Sequence, residues 1–206
     1  DNPSPGLSSD RLEYTLGNFY GRSRKSLEQI RTLYGALSCV ENEKGEPEPA
    51  FASGEAAEEF TLGALENSRM YIADEDRYCM QYLADLLKKS LEWGVLEPEE
   101  LYGTEKQVIG RLLSEERCAA LWNQYRLLSQ IEVTGERPSG RYCVRVPSKL
   151  RWIDPLFLLP EGGTARISRV SEPVRKGIED LHRTDFDVWI SAPEGAEAAA
   201  ELLQNG

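Results

Sequence analysis

The apolar positions of this chain change period along its length. Leu12 and Leu16 stand four apart within Ser9 to Phe19. Leu27, Ile30, Leu33, Tyr34 and Leu37 recur at steps of three and four. Both stretches are therefore predicted to be amphipathic helices. Ser26 followed by Gln29 has the form of a capping box at the start of the second. From Val40 to Phe51, Gly45, Pro47 and Pro49 lie among acidic residues and predict a solvated loop or a short hairpin. Helical spacing resumes from about Glu55 to Ile72 and from Asp74 to Trp93. The latter has Met80, Leu83, Leu87 and Leu91 on one face and Gly94 as its stop. Thr104 with Gln107 is a second capping box, opening a helix to Leu113, and another helix covers about Glu115 to Leu128.

Beyond this point apolar and polar residues alternate. Ile131 and Val133 form one such run, and Tyr142, Val144 and Val146 another. With the turn signal Pro138-Ser139-Gly140 between them they predict an antiparallel hairpin. Short strands are expected at Phe157 to Leu159 and Ala165 to Ser168, around Gly162-Gly163. A helix follows from Glu172 to His182, with Pro173 in its first turn. Phe186, Val188 and Ile190 alternate as a last strand, and an alanine-rich helix spans Ala196 to Leu203. The expected fold is mainly α with a small α+β module at its C-terminal end. Residues 23–128 form the helical region and 129–206 the α+β module.

Composition narrows the class. Hydrophobic residues are 40% and charged residues 29% of the chain, enough apolar material for a packed core. A net charge of -11 argues against general nucleic-acid binding, which needs a basic surface. The cysteines Cys39, Cys79, Cys118 and Cys143 form no CxxC pair, and His182 is the single histidine, so no zinc-finger pattern exists. Cys39, Cys79 and Cys118 lie in helix-like stretches and are expected as buried free thiols. No apolar run approaches the ~20 residues of a membrane span, and no signal peptide is visible. A cytoplasmic protein without a membrane partner is expected.

Two groups of residues could carry chemistry. On a helix, Asp10, Glu13, Tyr14 and Asn18 share one side, with Arg11 adjacent. A carboxylate there could hold a hard cation, the arginine a phosphate, and the tyrosine a base or sugar. The same residues also make an ordinary capped, ion-paired helix start. Further along, Arg141 and Arg145 alternate with apolar residues, and Lys149 and Arg151 repeat the spacing beyond Pro147. These four cations could receive phosphates, or could pair with local carboxylates such as Glu132 and Glu136. Trp152 stands beside them. His182, at a helix end, reads as a C-terminal cap.

The string Leu7-Ser8-Ser9-Asp10-Arg11-Leu12-Glu13-Tyr14-Thr15-Leu16 resembles the helix that carries the last metal-binding aspartate of HD-domain phosphohydrolases. The branch it is similar to is the deoxynucleoside-triphosphate triphosphohydrolases. Arg141 to Val146, Lys149 to Pro155, and Asp74 to Asp85 resemble further blocks of bacterial HD-domain proteins. The resemblance implies Asp10 as a metal ligand, Arg11 as a phosphate contact and Tyr14 as a pocket residue. Where family members usually carry another aspartate, this chain has Asn18. It also lacks the family's His and His-Asp motifs, which would precede Asp1. The chain opens in a loop without methionine, so it is expected to be a fragment, with residues 1–22 the last part of a truncated HD domain. Leu12 and Leu16 are then expected to be under-packed. The implied parent is a metal-dependent phosphohydrolase acting on a nucleotide or other phosphate ester, using a divalent metal ion. This chain alone is expected to be inactive and to bind no metal tightly. The alternative is a non-catalytic nucleotide-binding or oligomerisation module, in which the helices form a homo-oligomer interface.

Overall fold

In the computed structural model, residues 3–22, 24–193 and 199–204 are described. The chain forms two compact units. The first is Asp1–Tyr71 with Lys149–Thr184, and the second is Ile72–Ser148 with Asp185–Gly206. The division read from the sequence, at 22 and 128, cuts across both. The chain crosses between units at Tyr71–Ile72, Ser148–Lys149 and Thr184–Asp185, the second of these just after Pro147.

The first unit opens with α1 (Ser9–Gly21) and α2 (Leu27–Gly35). The Ser26–Gln29 capping box forms as expected, but α2 ends at Gly35 and Leu37 begins a strand. That strand, β1 (Leu37–Glu41), pairs antiparallel with β2 (Pro47–Phe51), so the hairpin reading of this acidic stretch is the correct one. Asn42 closes the turn by accepting the amides of Lys44 and Glu46 on its side chain, and Gly45 supplies the left-handed φ of 76°. The long helix α3 (Gly54–Tyr71) follows. The chain returns to this unit for β5 (Leu156–Leu158), β6 (Thr164–Arg166) and α7 (Glu172–His182). β5 joins β2 in parallel, giving the sheet order β1-β2-β5-β6. Strands are thus not confined to the C-terminal third. Phe19, Phe51, Phe60, Phe157 and Val174 meet in the core of this unit.

Leu16 is buried and Leu12 packs half-buried against the same core. This corrects the expectation of an under-packed α1. Phe19 stacks edge-on against Phe60, centroids 5.9 Å apart. A Cβ on Gly63 would lie 2.6 Å from Cζ of Phe19. Gly63→Ala should therefore destabilise the protein by about 1–3 kcal/mol through overpacking, despite the helix propensity of alanine. Urea unfolding checks this; a variant as stable as the parent would show that Phe19 can move aside.

The second unit contains α4 (Asp74–Glu92), a 3-10 turn (Pro98–Tyr102), α5 (Glu105–Leu113) and α6 (Glu116–Leu127). Gly94, at φ 67°, stops α4, and the Thr104–Gln107 capping box starts α5. Its strands are β3 (Glu132–Thr134), β4 (Cys143–Val144) and β7 (Trp189–Ser191). The expected hairpin of β3 with β4 does not form. β7 inserts between them and pairs antiparallel with both. The physical reason is that the fully buried Ile190 of β7 stands opposite both Val133 of β3 and Val144 of β4, so the central position is filled by a strand distant in sequence. Tyr78, Tyr82, Leu121, Tyr142 and Ile190 lie in the core here. The expected helix at Ala196 to Leu203 falls partly outside the described residues; within them, Ala200–Gln204 is a π-type turn.

Cys118 and Cys143 are buried free thiols and Cys79 is half-buried, whereas Cys39 lies exposed on β1, a correction to its helical, buried assignment. No helix among the described residues is long and apolar enough to cross a membrane.

Candidate functional site

The start of α1 is fixed from both sides. Ser8 caps the helix by accepting the Arg11 amide, 3.3 Å. Thr15, Leu16 and Phe19 turn inward. The opposite face presents Asp10 and Glu13 to solvent and leaves Arg11, Tyr14 and Asn18 half-buried. Arg11 donates through Nη1 to the Gly6 carbonyl at 2.7 Å, and Asn18 donates to the Tyr71 hydroxyl at 2.6 Å. Burial pushes the Tyr14 hydroxyl up from its ordinary pKa. The charges of Arg11 and Arg151 oppose this, and Tyr71 and Asp10 add to it.

The loop leading into α1 is held by a residue the sequence reading did not single out. Glu48, on β2, is 1% exposed and accepts the Leu7 amide at 2.9 Å. It also receives Arg166 through both guanidinium nitrogens, at 2.5 and 2.9 Å, and Asn42 at 3.2 Å. Arg166 donates further to Glu43 and to the Asp154 carbonyl. The Asp154 amide donates to Pro5, and Ser4 to the Trp152 carbonyl. Residues before α1 are thus tied to the sheet and to the segment 152–154. The signal was available: Glu48 and Ala50 share one face of β2, and both are buried.

The basic residues do not form one group. Arg141 and Arg145 belong to the second unit, Lys149 and Arg151 to the first. Arg141 pairs with Glu132 at 2.9 Å, and Arg145 with Asp187 at 2.6 Å. His182 donates from Nδ1 to Ile178 of its own helix, 2.8 Å, and meets Trp152 edge-on at 4.4 Å. Among the described residues no three His, Cys, Asp or Glu side chains come together to hold a metal ion. Asp10 supplies a single exposed carboxylate, which does not fit a metal by itself.

No family model matches the chain. It is similar to a protein of Bacillus subtilis (strain 168) described as uncharacterized protein YdhJ, at 29% identity over 177 residues. That similarity covers 85% of this chain and 52% of the relative, so the chain spans about half the length of the curated protein it matches.

Proposed function

We propose that this chain is part of an HD-domain phosphohydrolase acting on a nucleotide or other phosphate ester. In this reading Asp10 is one ligand of a divalent metal whose other ligands come from outside the described residues. Arg11, Arg151 and Lys149 would take phosphate oxygens, the arginines by their planar forks, while Tyr14 packs against base or sugar. The observation that carries the reading is that Ser4 and Pro5, just before α1, are hydrogen-bonded to Trp152 and Asp154, at 3.1 and 2.9 Å. Two of the segments that resemble the family, Asp10 to Tyr14 and Lys149 to Pro155, belong to the same unit and are brought near each other by these bonds.

The test is to produce this sequence together with any coding sequence preceding it and assay deoxynucleoside triphosphates with manganese. Asp10→Ala should lower kcat by about 100-fold or more with unchanged thermal unfolding. The chain by itself should show no manganese-dependent turnover. Full activity in Asp10→Ala would sink the metal assignment. An assembly role has its own observation, since Leu101 and Leu113 are exposed and Tyr102 is 94% exposed on the second unit. That reading predicts self-association without turnover.

A further inference from the structure

We propose that the second unit carries a phosphate-binding pocket built on Arg137 and Arg141, at the turn between β3 and β4. A cavity of about 350 Å³ opens there, lined by both arginines, Ser139, Gly140 and Gln204. That volume lies at the lower end of small-ligand sites, which run from ~300 Å³ upward. No carboxylate lines the cavity among the described residues.

Each arginine is poised differently. The Arg137 guanidinium lies over the Trp189 ring, 5.4 Å from its centroid, and makes no ion pair among the described residues. The indole holds the fork without neutralising it, so a charged acceptor would find it already oriented. Arg145 approaches the same ring, 5.9 Å from the centroid, but Asp187 neutralises it. Arg141 is paired with Glu132, and both side chains are well exposed. An exposed pair of this kind is worth about 0–1 kcal/mol, so an anion with several acceptor oxygens can take Arg141 over.

The backbone completes the set. Gly140 has φ 68°, and the amides of Ser139 and Gly140 donate to no acceptor among the described residues. The floor is firm, because the Gln204 side chain donates to the Cys143 carbonyl at 2.5 Å. Two guanidinium forks, a hydroxyl and free amides suit a tetrahedral, many-oxygen anion better than a planar carboxylate. The ligand class is a small-molecule phosphate or pyrophosphate group, such as a nucleotide carries. All of these residues lie in the second unit, so the inference is independent of the role proposed for Asp10.

The experiment titrates the whole chain with inorganic pyrophosphate at low salt, by calorimetry and tryptophan emission. Binding heat is expected, weakening as salt rises. Arg137→Ala should lower affinity about tenfold, the loss of one charge-assisted donor. Glu132→Gln, which frees Arg141, should raise affinity several-fold. Trp189→Phe should abolish the emission change and, because the weaker phenyl face then holds the Arg137 fork, lower the affinity a few-fold. Each variant is at the surface turn or conservative, and circular dichroism verifies folding. Absence of heat at low salt, or Arg137→Ala binding as tightly as the parent, would overturn the proposal.

Discussion

Arg166→Ala should destabilise the first unit by about 3–5 kcal/mol, because it leaves a buried carboxylate without its cation. Glu48 keeps only the Leu7 amide and Asn42 as donors once the guanidinium is gone. The loss is not simply the worth of an ion pair. A buried pair replaced as a whole by apolar residues often costs little, whereas breaking it on one side strands a charge. Glu48→Leu with Arg166→Leu should therefore be closer to the parent than Arg166→Ala alone. Urea midpoints of the three proteins decide the matter, and equal losses in single and double variants would refute the stranded-charge account.

The same network sets a pH dependence. The hydrogen bond from Arg166, followed by the backbone and the guanidinium charge, pulls the Glu43 carboxyl down to about 2. For Glu48, burial raises the pKa, but the Arg166 and Leu7 hydrogen bonds outweigh it and hold the group below its ordinary 4.5. Both folded values are depressed, so their contribution is complete above the unfolded value of 4.5 and is lost as pH falls from there towards about 2. Between pH 7 and pH 3 the parent should lose more stability than Arg166→Ala, in which this linkage is already gone.

Local grammar was legible in the sequence, and long-range pairing was not. The Ser26–Gln29 and Thr104–Gln107 boxes and the Gly94 stop depend on neighbours within four residues, and all three form. The β3–β4 hairpin failed because its true partner, β7, lies more than forty positions downstream. Spacing at two-residue intervals cannot reveal an inserted strand. The basic quartet failed for a related reason. Arg145 and Lys149 are four apart in sequence but belong to different units, since the chain crosses between Ser148 and Lys149. Asp10, Arg11 and Tyr14 were readable because helix periodicity alone puts them near one face. Arg137 was passed over, because its importance comes from Trp189, fifty-two positions away (189 − 137).

Arg77→Met should cost the second unit about 3–5 kcal/mol, on the same logic of stranded partners applied to carbonyls. The Arg77 side chain is 2% exposed, inside a unit whose other core residues are mostly leucine, tyrosine and alanine. Its Nε and Nη2 donate to the Val146 carbonyl at 2.8 and 2.5 Å, and Nη2 reaches the Phe186 carbonyl at 2.9 Å. Nη1 donates to Asp74 at 2.6 Å, and the guanidinium lies 4.9 Å from the centroid of the Phe186 ring. Val146 comes just before the chain leaves this unit, and Phe186 just after it returns. Arg77 therefore clips the outgoing and incoming strands together beneath β4 and β7. Methionine fills much of the space but satisfies neither carbonyl, at about 1–3 kcal/mol for each group left unpaired. Lysine restores a charge but not the fork, so Arg77→Lys should recover only part of the loss. Amide hydrogen exchange locates the effect: protection of Ile190 on β7 and of the α4 amides should fall in Arg77→Met, together with the urea midpoint. Because β7 also carries Trp189, the same variant should weaken pyrophosphate binding at Arg137. A variant that keeps its midpoint and its Ile190 protection would mean that water replaces the guanidinium at both carbonyls, and the clip would then be dispensable.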